Sequence, residues 1–234
     1  MKTEVLTLNK ERNVTLTTYI QDCGEGFGCV AKRPAVLILP GGAYQMCSDR
    51  EADPVAFAFA KAGYHAFVLR YSVMDDCTWP NPLNDYEQAM TLIRSHADTW
   101  HIYEDKIAVI GFSAGGHLAT AAATLAQNRP NAAILGYAVT SQHVQACNPN
   151  APETISAVDR KTPPCFVFAT RTDSMVPINN SIDFMRALSD NGVAFESHIY
   201  AYGPHGFSTC ESSIQDTRPS ARVYHTGWKT VLAG

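Results

Sequence analysis

Residues 106–120 read "KIAVIGFSAGGHLAT", where a run of apolar residues ends at a lone serine set between glycines. The run 106–112 is typical of a buried strand, and the small residues after it are typical of a helix. Small residues two positions before and after the serine let strand and helix approach closely. The motif G-x-S-x-G at such a turn predicts a nucleophile elbow at Ser113. A serine that caps a helix beside a glycine turn is the alternative.

The same alternation extends along the chain. Apolar runs at 35–39, 65–71, 106–112, 132–139, 165–170 and 195–202 alternate with helix-like segments at about 51–62, 83–98, 114–127, 179–191 and 219–232. Residues 3–8 and 13–20 alternate apolar and polar, as in a half-exposed hairpin. We therefore expect a single α/β domain over residues 1–234, with a mostly parallel central sheet of about eight strands and helices on both faces.

Composition excludes several classes of protein. The 234 residues are 46% hydrophobic, and a net charge of -4 without a basic block predicts no nucleic-acid partner. No apolar run is long enough to span a membrane, and the N-terminus lacks the apolar centre of a signal peptide. Seven cysteines without C-x-x-C pairs suit a reducing compartment. We expect a cytoplasmic protein without a membrane partner, although a chain already stripped of its signal has the same composition.

An elbow requires an acid and then a histidine further along the chain. "CFVFATRTDSMVP" (165–177) supplies Asp173 directly after an apolar run, whereas Asp159 precedes that run and Asp183 lies in a helical pattern. "SHIYAYGPHGFS" (197–208) supplies His205 in a loop, whereas His198 lies inside the preceding run. The sequence therefore predicts a triad of Ser113, Asp173 and His205.

Each residue type suits acyl transfer. A neutral imidazole takes the serine proton during attack on an acyl carbon and later protonates the leaving group. The carboxylate holds the imidazole in the required tautomer. No H-E-x-x-H motif or paired His/Cys spacing is present, so we expect neither a metal nor a cofactor.

A negatively charged intermediate also needs hydrogen-bond donors. One predicted donor is the backbone N–H of Ala114, directly after the nucleophile. The others lie in "PGGAY" (40–44), where adjacent glycines let amides turn into a pocket, and we favour Gly42 and Ala43. An ordinary Pro-Gly turn is the alternative interpretation of this loop.

Four segments together resemble a known family. "LPGGAYQMCSDREADPVAFAFAKAGYHAFVLRYSV", "GFSAGGHLA", "TDSMVP" and "GPHGFS" are similar to the small α/β-hydrolase esterases, most of all to the carbohydrate-esterase-like branch with acetyl-xylan esterases and lipase/esterase-like enzymes. The resemblance covers about residues 30–232. It implies an α/β-hydrolase fold, with nucleophile, acid and base at Ser113, Asp173 and His205. One departure is that Pro40 and Ala43 replace the first and last residues of the HGGG loop of related lipases.

The short connections predict an open, shallow site. Only residues 72–81 and 140–163 are available for a cap, which favours short acyl groups on small-molecule or carbohydrate esters. Four side chains flank the motifs and are candidates for lining the site: Tyr44, Trp79, Met175 and Phe207. Trp79 is the one most suited to stacking on a sugar. An ion pair is expected to fix the loop near residues 49–51.

Two other functions stay open at this point. An amidase, such as a formamidase, or a peptidase would use the same triad. A catalytically silent hydrolase fold that only binds its ligand belongs to a different class, but such proteins typically lose a triad residue. The sequence leaves the oligomeric state open, a homo-oligomer included.

Overall fold

The computed structural model describes residues 1–24, 26 and 30–210. The predicted last helix at 219–232 lies outside the described residues. Among the described residues, no helix is both long and apolar enough to cross a membrane.

The described strands form one sheet of eight. Their bounds are β1 Lys2–Asn9, β2 Val14–Ile20, β3 Arg33–Leu39, β4 His65–Arg70, β5 Ile102–Phe112, β6 Ala132–Gly136, β7 Cys165–Thr170 and β8 Phe195–Tyr200. The order across the sheet is β1-β2-β4-β3-β5-β6-β7-β8. β1 and β2 pair antiparallel, as do β2 and β4, and every other pair is parallel. The predicted α/β fold with a mostly parallel sheet is confirmed.

Within the described residues, four α-helices connect and cover the strands: α1 Asp53–Lys61, α2 Asn81–Ser95, α3 Ser113–Thr124 and α4 Asn179–Asp190. Their bounds lie within a few residues of those predicted. α1 and α2 each carry a proline in the first turn, where its missing N–H costs no helical hydrogen bond. α3 is almost entirely buried, which explains its small side chains.

Two apolar layers lie on the two faces of the sheet. One contains side chains from α2, α3 and α4, and the other contains side chains from α1. The central strands are buried on consecutive residues, as in β3 from Ala35 to Leu39. Because β3, β5, β7 and β8 are parallel, the loops after their carboxyl ends meet at one edge of the sheet. Those loops carry residues 40–44, Ser113, Asp173 and His205.

The two predicted cap segments contain short 3-10 helices, Met74–Cys77 and Gln142–Ala146. They contact each other through the Asn148 side-chain amide, which donates to the Cys77 carbonyl at 2.6 Å.

Candidate active site

Ser113 lies at the turn where β5 becomes α3. Its φ of 53° is in the left-handed region, a strained conformation for a residue with a side chain. The turn is tight because a Cβ added at Gly111 would lie 2.1 Å from the Gly115 carbonyl oxygen. Glycine at these two positions therefore lets the elbow form, and Ser113 remains partly exposed at its apex.

His205 joins the serine to the acid. Its Nε2 lies 2.9 Å from Ser113 Oγ, and its Nδ1 lies 2.7 Å from Asp173 Oδ2. A carboxylate only accepts hydrogen bonds, so Nδ1–H donates to Asp173 and leaves Nε2 free to accept from the serine hydroxyl. The structure thus brings the three sequence-predicted residues together in the order required for general-base catalysis.

Asp173 lies in the loop after β7, and its side chain is 1% exposed. Burial alone would raise the pKa of this carboxyl. The hydrogen bonds from His205 and from the backbone N–H groups of Val176 and Met175 outweigh burial and hold the pKa below its ordinary value. Asp173 is therefore suited to remain ionised beside the imidazole.

The acid and histidine loops are connected by two threonines that sequence reasoning missed. Thr170 Oγ1 donates to the Gly203 carbonyl at 2.9 Å, and Thr172 Oγ1 accepts from the Gly203 N–H at 3.0 Å. These bonds hold the approach to His205 against the end of β7.

The loop 40–44 has an unusual backbone. Gly42, Ala43 and Tyr44 all have positive φ, at 132°, 54° and 58°. In the described part of the chain, the N–H groups of Gly42 and Ala43 donate to no protein acceptor. The Ala114 N–H lies in the first turn of α3, where helical N–H groups have no intrahelical partner. All three predicted donors are thus available, and their role stays a prediction.

The four candidate lining residues occupy different environments. Met175 is 69% exposed beside the acid. Trp79 is half-buried in the cap, 5.5 Å from the His117 ring. Phe207 is also half-buried and packs on Tyr137.

Tyr44 differs from the expectation that it lines the site, because its side chain is fully buried. Its hydroxyl lies 2.7 Å from His117 Nδ1, and His117 Nε2–H donates to the Pro152 carbonyl at 2.8 Å. Tyr44 therefore anchors the loop in the core in this structure, and its side chain exposes no surface to a ligand.

Residues 47–51, which follow the loop 40–44, form both the expected ion pair and hydrogen bonds that the sequence did not suggest. An ion pair forms between Asp49 and Arg70 at 2.6 Å, and Arg70 also donates to the Cys47 carbonyl. Glu51 instead is buried and accepts hydrogen bonds from Gly41 and Tyr137. Its neighbours Asp49 and Arg50 are exposed, so the local sequence carried no signal for this role.

Residues 29–148 match BD-FAE. The chain belongs to the BD-FAE family. The predicted resemblance to esterases of the acetyl-xylan esterase type is confirmed by one of two curated relatives, an acetylxylan esterase. Endo-1,4-beta-xylanase B of Butyrivibrio fibrisolvens is 32% identical over 78% of this chain and 34% of its own length. Acetylxylan esterase of Xylanibacter ruminicola is 30% identical over 74% of this chain and 41% of its own length.

This BD-FAE chain thus spans well under half of either curated relative. A solved structure matches far more completely. MGS-M1, an α/β-hydrolase enzyme from a Medee basin deep-sea metagenome library, is 41% identical with a TM-score of 0.90, covering 100% of this chain and 95% of its own.

Proposed function

We propose that this chain is a serine carboxylesterase that hydrolyses short-chain acyl esters through Ser113, His205 and Asp173. The observation that carries the proposal is the unbroken pair of hydrogen bonds from Asp173 through His205 to Ser113. Among the described residues, no cluster of His, Cys, Asp and Glu is arranged to hold a metal ion. The triad supplies both nucleophile and base without one.

The reaction proceeds in two halves. Ser113 Oγ attacks the acyl carbon while His205 Nε2 takes its proton, and the carbonyl electrons move onto the oxygen to give an oxyanion. The N–H groups of Gly42, Ala43 and Ala114 stabilise that oxyanion. When the intermediate collapses, His205 gives its proton to the departing alcohol and leaves Ser113 acylated. Water then attacks the acyl-enzyme with His205 as base, which releases the acid and restores Ser113.

Acetylated carbohydrate is the substrate class that we favour. Support comes from the two relatives, one named acetylxylan esterase and one named endo-1,4-beta-xylanase. The short cap segments support it as well, because an open site admits a bulky alcohol group. Trp79 in the cap is only half-buried, and an aromatic ring of this kind suits stacking on a sugar.

The test is hydrolysis of p-nitrophenyl acetate and release of acetate from acetylated xylo-oligosaccharides by the wild type and Ser113→Ala. Turnover of both substrates by the wild type, lost in the folded variant, is the expected result. Faster cleavage of p-nitroacetanilide than of p-nitrophenyl acetate would favour an amidase. Turnover by Ser113→Ala equal to wild type would refute the serine mechanism.

A further inference from the structure

A buried carboxylate lies directly behind the predicted oxyanion loop. Glu51 is 3% exposed, and its Oε2 accepts a hydrogen bond from the Gly41 N–H at 2.8 Å. A Cβ built on Gly41 would lie 2.7 Å from Glu51 Oε2 and 3.0 Å from Ser113 Cβ. The backbone at Gly41 is therefore bonded to Glu51 and packs closely against the turn that carries Ser113.

The other oxygen of Glu51 reaches the histidine loop. Tyr137 donates its hydroxyl to Glu51 Oε1 at 2.5 Å and accepts from the Ser208 N–H at 3.0 Å. Burial, followed by the charge of Glu51, raises the pKa of Tyr137 well above its ordinary value, so the hydroxyl keeps the proton that it donates. The Tyr137 ring also packs edge-on against His205, with ring centres 5.0 Å apart.

A further hydrogen bond joins the same two segments, the one around Glu51 and the loop that follows His205. Ser208 Oγ donates to the carbonyl oxygen of Arg50, the residue before Glu51, at 2.7 Å. The loop with the predicted oxyanion donors and the loop with the general base are thus joined through Glu51 and Tyr137.

Burying the Glu51 carboxylate costs folding free energy, so structural stability alone does not explain it. A buried carboxylate loses its hydration, and neutral donors replace only part of it. In the described part of the chain, no Lys or Arg forms an ion pair with Glu51. A well-packed apolar side chain often serves stability as well as a buried charge does. What such a side chain cannot do is fix two backbone loops at once.

We propose that Glu51 is a positioning residue that sets the oxyanion loop and the His205 loop relative to Ser113, acting through Gly41 and Tyr137. The inference rests on the proposed esterase function. Because the oxyanion exists only during reaction, misplaced donors lower kcat and leave ground-state binding nearly unchanged.

The experiment compares Glu51→Gln, Glu51→Met and Tyr137→Phe by steady-state hydrolysis of p-nitrophenyl acetate, below the unfolding temperature of each variant. Glutamine keeps an acceptor for the Gly41 N–H, whereas methionine removes both acceptors. We expect kcat to fall about tenfold for Glu51→Gln and Tyr137→Phe and about a hundredfold for Glu51→Met, with KM within about threefold. A Glu51→Met/Tyr137→Phe double variant should lose far less than the product of the two single losses.

Glu87→Gln is the matched control. Glu87 also accepts hydrogen bonds from backbone N–H groups, those of Gln127 and Asn128, but it lies on α2 and contacts none of the triad residues. The kcat of the Glu87→Gln variant should equal that of the wild type.

A folded Glu51→Met with kcat within about twofold of wild type would overturn the inference, as would a raised KM with unchanged kcat. Tyr137→Phe keeps the ring and decides the question if Glu51→Met fails to fold. If the wild type does not hydrolyse esters, the proposed function fails first. The rate of labelling by a fluorophosphonate then replaces kcat, with the same ordering of variants expected. A wild type that is neither active nor labelled refutes both.

Discussion

His205 Nε2 lies 2.9 Å from Ser113 Oγ, although the two residues are 92 positions apart in the chain. The parallel sheet produces this proximity, because it delivers the loops after β5 and β8 to the same edge. Asp173, from the loop after β7, completes the line behind the histidine.

Replacing Asp173 by asparagine should impair His205 as a general base without displacing it much. Asp173→Asn keeps the shape of the side chain but removes its charge and permits the wrong imidazole tautomer. We expect kcat on p-nitrophenyl acetate to fall on the order of 10³- to 10⁴-fold. Adding Asp173→Asn to Ser113→Ala should cost almost nothing more, since triad residues act as a unit. Additive losses in the double variant would contradict this mechanism.

The elbow should reject a methyl group at Gly111. An added Cβ would lie 2.1 Å from the Gly115 carbonyl oxygen and 2.7 Å from Ala119 Cβ. Gly111→Ala should therefore destabilise the protein by about 1–3 kcal/mol and lower kcat as Ser113 shifts. Urea unfolding followed by circular dichroism measures the stability.

Gly192→Asn is the control for that experiment. Gly192 has a φ of +70° and no atom within 4 Å of an added Cβ, and asparagine tolerates this conformation. Gly192→Asn should lower the free energy of unfolding by clearly less than Gly111→Ala does. If both variants lose the same stability, the close packing at Gly111 does not account for the effect of Gly111→Ala.

Stability should decline in mild acid because of buried histidines. Burial lowers the pKa of His117 to about 4, and burial does the same for His65. Between an unfolded value of about 6.5 and this folded value, only the unfolded chain binds the protons. Stability present above about pH 6.5 is therefore lost as the pH falls towards 4. The depressed pKa of Asp173 adds a loss only at lower pH, below its ordinary 3.8.

The check is the urea midpoint measured from pH 7.5 to 4 for the wild type and for His117→Gln. The variant should show about half of the wild-type decline, since His65 still contributes. His143→Gln changes an exposed histidine and should leave the wild-type slope intact. A His117→Gln slope identical to wild type would contradict the assignment.

Acyl-chain length should reveal the shape of the site. With short cap segments and an exposed Met175 beside the acid, little apolar wall is available to a long chain. We expect kcat/KM on p-nitrophenyl esters to be highest from acetate to butyrate and lower for octanoate and beyond. Rising kcat/KM with length would indicate a deep apolar pocket, in which each methylene is worth about 1 kcal/mol.

Much of the fold could be read from local sequence. Buried parallel strands must be apolar on consecutive residues, so "AVLIL" and "KIAVIGF" were recognisable without any tertiary information. That Ser113, Asp173 and His205 lie together was also predictable, since a glycine-flanked serine and the order acid then histidine follow from the same strand pattern. The predicted strand and helix bounds differ from the observed ones by only a few residues, at the ends where loops begin.

Contacts between distant segments could not be predicted in this way. Tyr44 looked like a lining residue because it follows the glycine loop, but its hydroxyl pairs with His117 in the core. Glu51 lies in the stretch where an ion pair was expected to fix the loop, but it is buried and accepts hydrogen bonds from Gly41 and Tyr137. Nothing in the local pattern around Glu51 or Tyr137 shows that the two meet, since 86 positions separate them.

In the proposed reaction, Ser113 carries the acyl group during turnover. The most direct test is to quench the wild type in acid during hydrolysis of p-nitrophenyl acetate and to map the modified peptide by mass spectrometry. We expect one acetyl group on Ser113, which accumulates further when His205→Ala slows deacylation more than acylation. Product release with acetyl on another residue, or with no acetyl-enzyme in wild type and variant alike, would contradict it.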